Sequence, residues 1–242
     1  MKHKCPKCGS QKIEQFTPSP STQEHYEKSG GPWYCFDCRW IGFHPIKDED
    51  DKIRVQPKVT IQNVVASVRF NQGFDLNAIV KAFPNVEYRP ETFPGLAFKL
   101  RKPKSCALIF STGKMVCTGT KSEKEARKAI LKVARELKKA GIMVRSGKPD
   151  IAIQNIVASV DLGEVSIDLE EAIYKLKKGV MYEPEQFPGT IYRMEDPQVV
   201  FLIFNTGKLV CVGAKREEDV YRAVEKLVAF LEQNDLLVGM VR

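Results

Sequence analysis

Seven cysteines stand in this 242-residue chain, and four of them form two C-x-x-C pairs, Cys5-Pro-Lys-Cys8 and Cys35-Phe-Asp-Cys38. Two such pairs joined by a loop can supply four thiolates to one tetrahedral zinc ion. A site closed by four sulfurs leaves no open coordination position for a substrate, so the chemistry expected is structural: one Zn2+ held by Cys5, Cys8, Cys35 and Cys38. A redox dithiol would lie beside a βαβ pattern, which is absent here. Histidine could replace a thiolate, but with four cysteines at hand His3, His25 and His44 are expected to face solvent. Cys106, Cys117 and Cys211 lie in or beside apolar strand-like runs, and buried packing is expected for all three.

Nothing else in the chain has the spacing of catalysis. There are no clustered carboxylates, no nucleophile elbow and no phosphate loop, and every histidine lies in the N-terminal stretch that holds the cysteine pairs. The chain is therefore not expected to be an enzyme or to take a small-molecule substrate. The net charge of +8 and pI near 9.0 favour a polyanionic partner, nucleic acid first. No apolar run reaches membrane-spanning length and no signal peptide opens the chain, so an intracellular protein without a membrane partner is expected.

The cysteine pairs need elements to hold them. "CPKCGS" resembles the first knuckle of a zinc ribbon, and "WYCFDCRW" resembles the second, on a hairpin. The spacer between the pairs, with "TPSPSTQEHYEKSGG" inside it, is expected to be a flexible loop. The charge run "KDEDDK" then reads as a linker. The boundaries predicted are 1–46 for the metal module, 47–57 for the linker, and 58–148 and 149–242 for two halves of the remaining chain.

Those two halves repeat one another. "IQNVVASV" at Ile61–Val68 returns as "IQNIVASV" at Ile153–Val160, and "YRPETFPG" at Tyr88–Gly95 returns as "YEPEQFPG" at Tyr182–Gly189. "ALIFSTGKMVCTG" at Ala107–Gly119 returns as "FLIFNTGKLVCVG" at Phe201–Gly213, each reading as two strands about a Thr-Gly-Lys turn. Alternation puts Leu108, Phe110, Val116 and Thr118 on one face and Ala107, Ile109, Met115 and Cys117 on the other. Both faces are mostly apolar, whereas an antiparallel sheet usually wets one. Each half closes in an amphipathic helix, with Ala126, Ile130, Val133, Ala134 and Leu137 in the first and Val220, Val224, Leu227, Val228 and Leu231 in the second at helical spacing. Shorter helices are predicted at Asp75–Ala82 and Asp168–Lys175, opened by an N-cap Asp or a neighbouring Ser. These elements imply a pseudo-twofold α+β molecule. Its long helices cover one face of a joint antiparallel sheet and leave the other open.

The repeat, from about Lys58 to Leu237, closely resembles the TATA-binding protein family; "QNIVAS", "YEPEQFPGTIYRM" and "LIFNTGKLVCVGAK" are near-verbatim segments of it. The resemblance implies a curved ten-stranded saddle with four helices on its convex side. It also implies that double-stranded, A/T-rich promoter DNA covers the second apolar face through its minor groove. Wedging and kinking that groove is known of this family as a class, not read from these residues. Asn63 and Asn155 share the concave face with Val65 and Val157 by alternation, and the matching family asparagines donate to base acceptors. The family match makes Phe93 with Phe110, and Phe187 with Phe204, the wedges. Leu108, Val116, Leu202 and Val210 complete the floor. Thr118 matches a base-contacting threonine whose counterpart here is Val212, a departure from the pattern. Arg193, Lys114 and Lys208 match backbone-contacting positions, and Lys99 stands where arginine is usual. Glu183 and Glu185 match the acids that bind transcription factor B.

The resemblance thus implies a general initiation factor that recruits transcription factor B and the RNA polymerase machinery. The metal module departs from ordinary members, and it keeps open a divergent paralogue acting mainly as a protein-interaction or regulatory factor. An enzyme using this fold as an accessory domain finds no chemistry here to support it. The lack of a long low-complexity arm suggests an archaeal source, hence a cytoplasmic, nucleoid-associated protein; a eukaryotic one would be nuclear.

Overall fold

The structure, a computed structural model, describes residues 3–6, 8, 10–15, 33–39, 41–42, 46–47, 53–145 and 149–239. His25, His44, the 17–31 spacer and the centre of the predicted linker lie outside the described residues, as does the side chain of His3. The chain divides into two compact units, Met1–Arg54 and Val55–Arg242. Among the described residues no helix is long and apolar enough to cross a membrane.

The first unit is built of very short strands. β2 (Ile13–Gln15), β3 (Trp33–Cys35) and β4 (Ile41–Gly42) form an antiparallel sheet in the order β2-β3-β4. β1 (His3–Lys4) pairs with β5 (Ile46–Lys47). Its buried apolar centre is small, with Cys5, Ile13 and Cys35 packed against Trp33 and Cys38.

The second unit is two copies of one motif. The first half runs β6 (Lys58–Arg69), α1 (Leu76–Ala82), β7 (Gly95–Leu100), β8 (Ser105–Phe110), β9 (Lys114–Thr120) and α2 (Glu123–Lys139). The second runs β10 (Ile151–Asp161), β11 (Val165–Ile167), α3 (Leu169–Leu176), β12 (Val180–Tyr182), β13 (Gly189–Met194), β14 (Val199–Phe204), β15 (Lys208–Ala214), α4 (Glu217–Gln233) and β16 (Leu237–Gly239). Nine of these strands make one antiparallel sheet in the order β12-β13-β14-β15-β10-β6-β9-β8-β7, nearly symmetric about the β10–β6 pair. The implied tenth strand is reduced to one bridge, Glu87 to Ala97. The second half continues its ladder through the Gly179 carbonyl, which accepts from Arg193 N–H at 2.8 Å. Gly179 has φ +70° there; the first half has Asn85 after Pro84, and Val86 N–H turns back to Phe83 instead.

Strand alternation sorts the apolar residues as expected. Val64, Ala66 and Val68, Ala107 and Ile109, Met115 and Cys117, and their second-half counterparts are buried. They meet Ile130, Val133 and Leu137 of α2 and Val224, Leu227 and Leu231 of α4, all nearly inaccessible. The predicted caps of the short helices form: Asp75 Oδ1 accepts from Ala78 N–H at 3.1 Å and Asp168 Oδ1 from Glu171 N–H at 3.0 Å. α2 is capped as well, Ser122 Oγ accepting from Glu125 N–H at 3.1 Å. α4 has Arg216 at its N-cap and no side-chain cap of its own. Glu123 Oε1 takes that role, accepting from Glu217 N–H at 2.9 Å, while Glu217 Oε1 accepts from Glu123 N–H at 2.7 Å. Each long helix thus has its positive end neutralised by its sister's carboxylate, so capping also ties the halves together at their pseudo-dyad.

Candidate nucleic-acid interface and metal centre

The sheet face opposite the helices is lined by apolar side chains that stay half-exposed. Val65, Leu108, Val116, Val157, Leu202, Val210 and Val212 are all on it. Register sets them in rows: Ser67, Val116, Leu108 and Ala97 in one half, and Ser159, Val210, Leu202 and Ile191 in the other. An open sheet face this apolar is a candidate surface for a partner.

Polar groups enter at the centre, and backbone geometry fixes their direction. Asn63 Oδ1 accepts from Gly119 N–H at 2.7 Å, and Asn155 Oδ1 accepts from Gly213 N–H at 2.8 Å. Because a backbone N–H can only donate, each amide must present its oxygen inward, leaving Nδ2 as the donor it offers. Among the described residues no group accepts from either Nδ2. Gly119 and Gly213 have φ of +91° and +99°, the left-handed region a side chain disfavours, and this aims their N–H groups at the asparagines. Thr118 Oγ1 also donates to Asn63 Oδ1, at 3.2 Å.

The phenylalanine pairs close the far ends. Phe93 and Phe110 pack edge to face with centroids 5.8 Å apart, and Phe187 and Phe204 do so at 5.7 Å. Phe93 remains 41% exposed, unusual for so large an apolar ring. The loops share one turn: Phe93 N–H donates to Arg89 O at 2.9 Å, and Phe187 N–H to Glu183 O at 2.9 Å. Each pair straddles a glycine. A Cβ on Gly95 would lie 2.6 Å from Phe93 and 2.9 Å from Phe110; one on Gly189 would lie 2.9 Å from Phe187 and 3.0 Å from Phe204. Both rings reach the open face only because those positions carry no side chain.

Lys99, Lys114, Arg193 and Lys208 are exposed around this face, and Glu183 and Glu185 stand exposed in the second loop. Lys99 is tied to Glu87 at 2.5 Å, and this bond holds the Lys99 ammonium above and the Glu87 carboxyl below their ordinary pKa ranges. Arg193 makes no ion pair among the described residues.

Several residues here escape a reading by alternation. β6 and β10 each carry a register shift near their asparagine, so Gln62 and Gln154 join the open side. Gln62 Nε2 donates to Ser159 Oγ and Gln154 Nε2 to Ser67 Oγ, both at 2.7 Å, as a twofold pair. The repetition of "QN" in both halves is the signal that could have found them. Cys106 departs from expected burial: it is half-exposed on the open face, opposite Thr118 in register. Cys117 and Cys211 are fully buried as expected, and burial pushes their thiols up to about 11 and about 12.

In the first unit the four paired cysteines converge. Their sulfurs all lie within 4.8 Å of one another, with Cys5–Cys38 at 3.4 Å and Cys8–Cys35 at 3.6 Å. Tetrahedral zinc with Zn–S near 2.3 Å would set neighbouring sulfurs about 3.8 Å apart, so the cluster has the dimensions and the soft donors for such an ion. Burial pushes the Cys35 thiol up, but the N–H groups of Cys38 and Asp37 and the neighbouring thiols bring it down to about 7. Ser10 N–H pulls Cys8 down, but the surrounding thiols and desolvation push it up to about 12. Asp37, not foreseen from sequence, ties the two knuckles by accepting from Ser10 Oγ at 2.6 Å and pairing with Lys12 at 3.4 Å.

A family model described as transcription factor TFIID (or TATA-binding protein, TBP) matches residues 58–140 and 150–234. A TATA-box-binding protein of Sulfolobus acidocaldarius is 50% identical over 185 residues, 76% of this chain and 92% of that one. One from Pyrodictium occultum is 52% identical over 178 residues, 74% of this chain and 88% of that one. The solved structure of Methanococcus jannaschii TBP, at 46% identity, covers 73% of this chain and 99% of its own, with a TM-score of 0.64. The first 57 residues lie outside the family match.

Proposed function

Because the chain belongs to the TATA-binding protein family, we propose that it is a general transcription initiation factor binding A/T-rich, TATA-box promoter DNA through the minor groove on the open sheet face. The observation that carries this is the commitment of both asparagine oxygens to backbone N–H groups, which leaves two amide donors to a mostly apolar floor. In the minor groove A·T and T·A pairs show only acceptors, while G·C adds the guanine amino donor. An apolar floor with central donors therefore fits A·T pairs and leaves that amino group unmatched. Lys99, Lys114, Arg193 and Lys208 would contact the backbone, and the four phenylalanines would enter end steps of the site. We extend the reading to Glu183 and Glu185 as contacts for transcription factor B, and to recruitment of RNA polymerase at the archaeal chromosome. Cys5, Cys8, Cys35 and Cys38 would hold one structural zinc.

Footprinting tests the DNA reading. A run of A·T pairs should be protected, and the same run with every pair changed to G·C should not, at roughly 1–3 kcal/mol per wrong pair. Inosine–cytosine pairs, which keep the minor-groove pattern of A·T, should restore protection. Indifference to G·C, or failure of inosine–cytosine, would show that another surface is used. A folded protein that protects no A/T sequence would favour the regulatory paralogue.

The donor argument has its own test. Asn155→Asp keeps an oxygen for Gly213 N–H but replaces the donor with an anion aimed at acceptors. Affinity should fall about a hundredfold, since an unmatched buried charge costs several kcal/mol. Thermal unfolding should be nearly unchanged. Equal binding by the variant would remove the asparagine from the interface.

A further inference from the structure

The halves share a backbone but differ along one row of the open face. In the first half the row runs Thr118, Cys106, Lys99, with the Asn63 amide against Thr118; in the second it runs Val157, Val212, Val200, Arg193. The first row offers a hydroxyl, a half-exposed thiol and a lysine already tied to Glu87. The second offers valines and an exposed arginine, with Met181 standing where the first half has Glu87.

The hydroxyl is specifically placed. Thr118 Oγ1 donates its hydrogen to Asn63 Oδ1 at 3.2 Å, and with the hydrogen so directed its lone pairs are open to the face. A hydroxyl held this way can accept. The group in the minor groove that needs an acceptor is the guanine amino group. The sulfur of Cys106, opposite Thr118 across the strands, is a further weak acceptor. At the equivalent place in the second half, the methyl groups of Val212 and Val200 would bury that amino group without a partner.

Resting on the proposed DNA-binding function, we propose that Thr118 and Cys106 make the first half tolerant of a G·C pair that Val212 and Val200 exclude from the second. An asymmetric promoter is then bound in one orientation, with its G·C pair beneath the first half.

A self-complementary A/T duplex tests this without any probe of orientation. The full chain reads such a duplex identically both ways round. Each pair is changed to G·C singly, and then together with its symmetry mate. At the position beneath Thr118 or Val212, a single exchange should cost only about twofold, the loss of one of two equivalent orientations. The symmetric double exchange puts a G·C pair under the valines either way and should cost about tenfold or more. With halves that read alike, the double cost would be the square of the single cost at every position, and that result overturns the proposal. Val212→Thr with Val200→Cys should bring the double exchange close to the single. Thr118→Val with Cys106→Val should raise the single exchange to about tenfold. Melting curves establish that both variants fold, and the wild-type comparison stands without them. Failure to bind the all-A/T duplex would instead count against the DNA-binding function itself.

Discussion

Replacing Phe187 and Phe204 together by alanine should lower affinity for A/T-rich DNA about a hundredfold or more and reduce the bend, while leaving the fold intact. Unstacking a base step costs a few kcal/mol, a value that belongs to minor-groove wedging proteins as a class, and the inserted rings offset it. The fold is spared because neither ring is in the core. Both stay half-exposed, and the strand's buried residues are Phe201 and Ile203 on the opposite face. Losing their mutual contact should cost only about 1 kcal/mol of stability. Bending is the decisive readout, by fluorescence energy transfer between labelled duplex ends. A folded double variant that bends DNA as well as the parent chain would refute the wedge assignment. The Phe93→Ala, Phe110→Ala pair should behave likewise at the other end.

Much of the repeat was legible because it is written twice. Two apolar faces on each hairpin, repeated ninety-four positions apart, require a covered face and an unsatisfied one, whatever the family. Alternation then separates Ala107, Ile109, Met115 and Cys117 from Leu108, Phe110, Val116 and Thr118, and burial follows that division. It fails where the strand is not regular. Ile61 and Val64 are both buried three residues apart, so an extra residue must be taken up between them, and this moves Gln62 to the open side. Counting in twos cannot reveal such a bulge. Cys106 departs for another reason: free cysteine tends to be buried, but a position two residues before Leu108 shares that residue's open face. Amide orientation was illegible altogether, since it depends on Gly119 and Gly213 N–H groups more than fifty residues from the asparagines they hold. The role of Gly95 and Gly189 likewise emerges only when the rings are placed beside them.

Removing metal should unfold the first unit and leave the second standing. The reason is the contrast between their cores. Among the described residues of the first unit, the buried apolar cluster is Cys5, Ile13 and Cys35, and two of those three are proposed ligands. Strands of two or three residues add little ladder to hold it. Such a unit lacks the apolar area to offset its chain entropy, so metal binding and folding become one process; structural zinc contributes an apparent 10–16 kcal/mol in comparable small modules. The second unit buries Phe201, Leu96, Ile109, Ile130, Ile156, Leu227 and others without any metal ligand among them. Elemental analysis of freshly prepared protein should therefore find one zinc per chain. A strong chelator should abolish the chemical-shift dispersion of residues 3–47, while resonances of residues 58–239 and the main thermal transition persist. Any one of Cys5, Cys8, Cys35 or Cys38 changed to serine should mimic chelation. Protein carrying no metal as prepared, with the first unit folded nonetheless, would mean that these four thiols are held together by the chain alone.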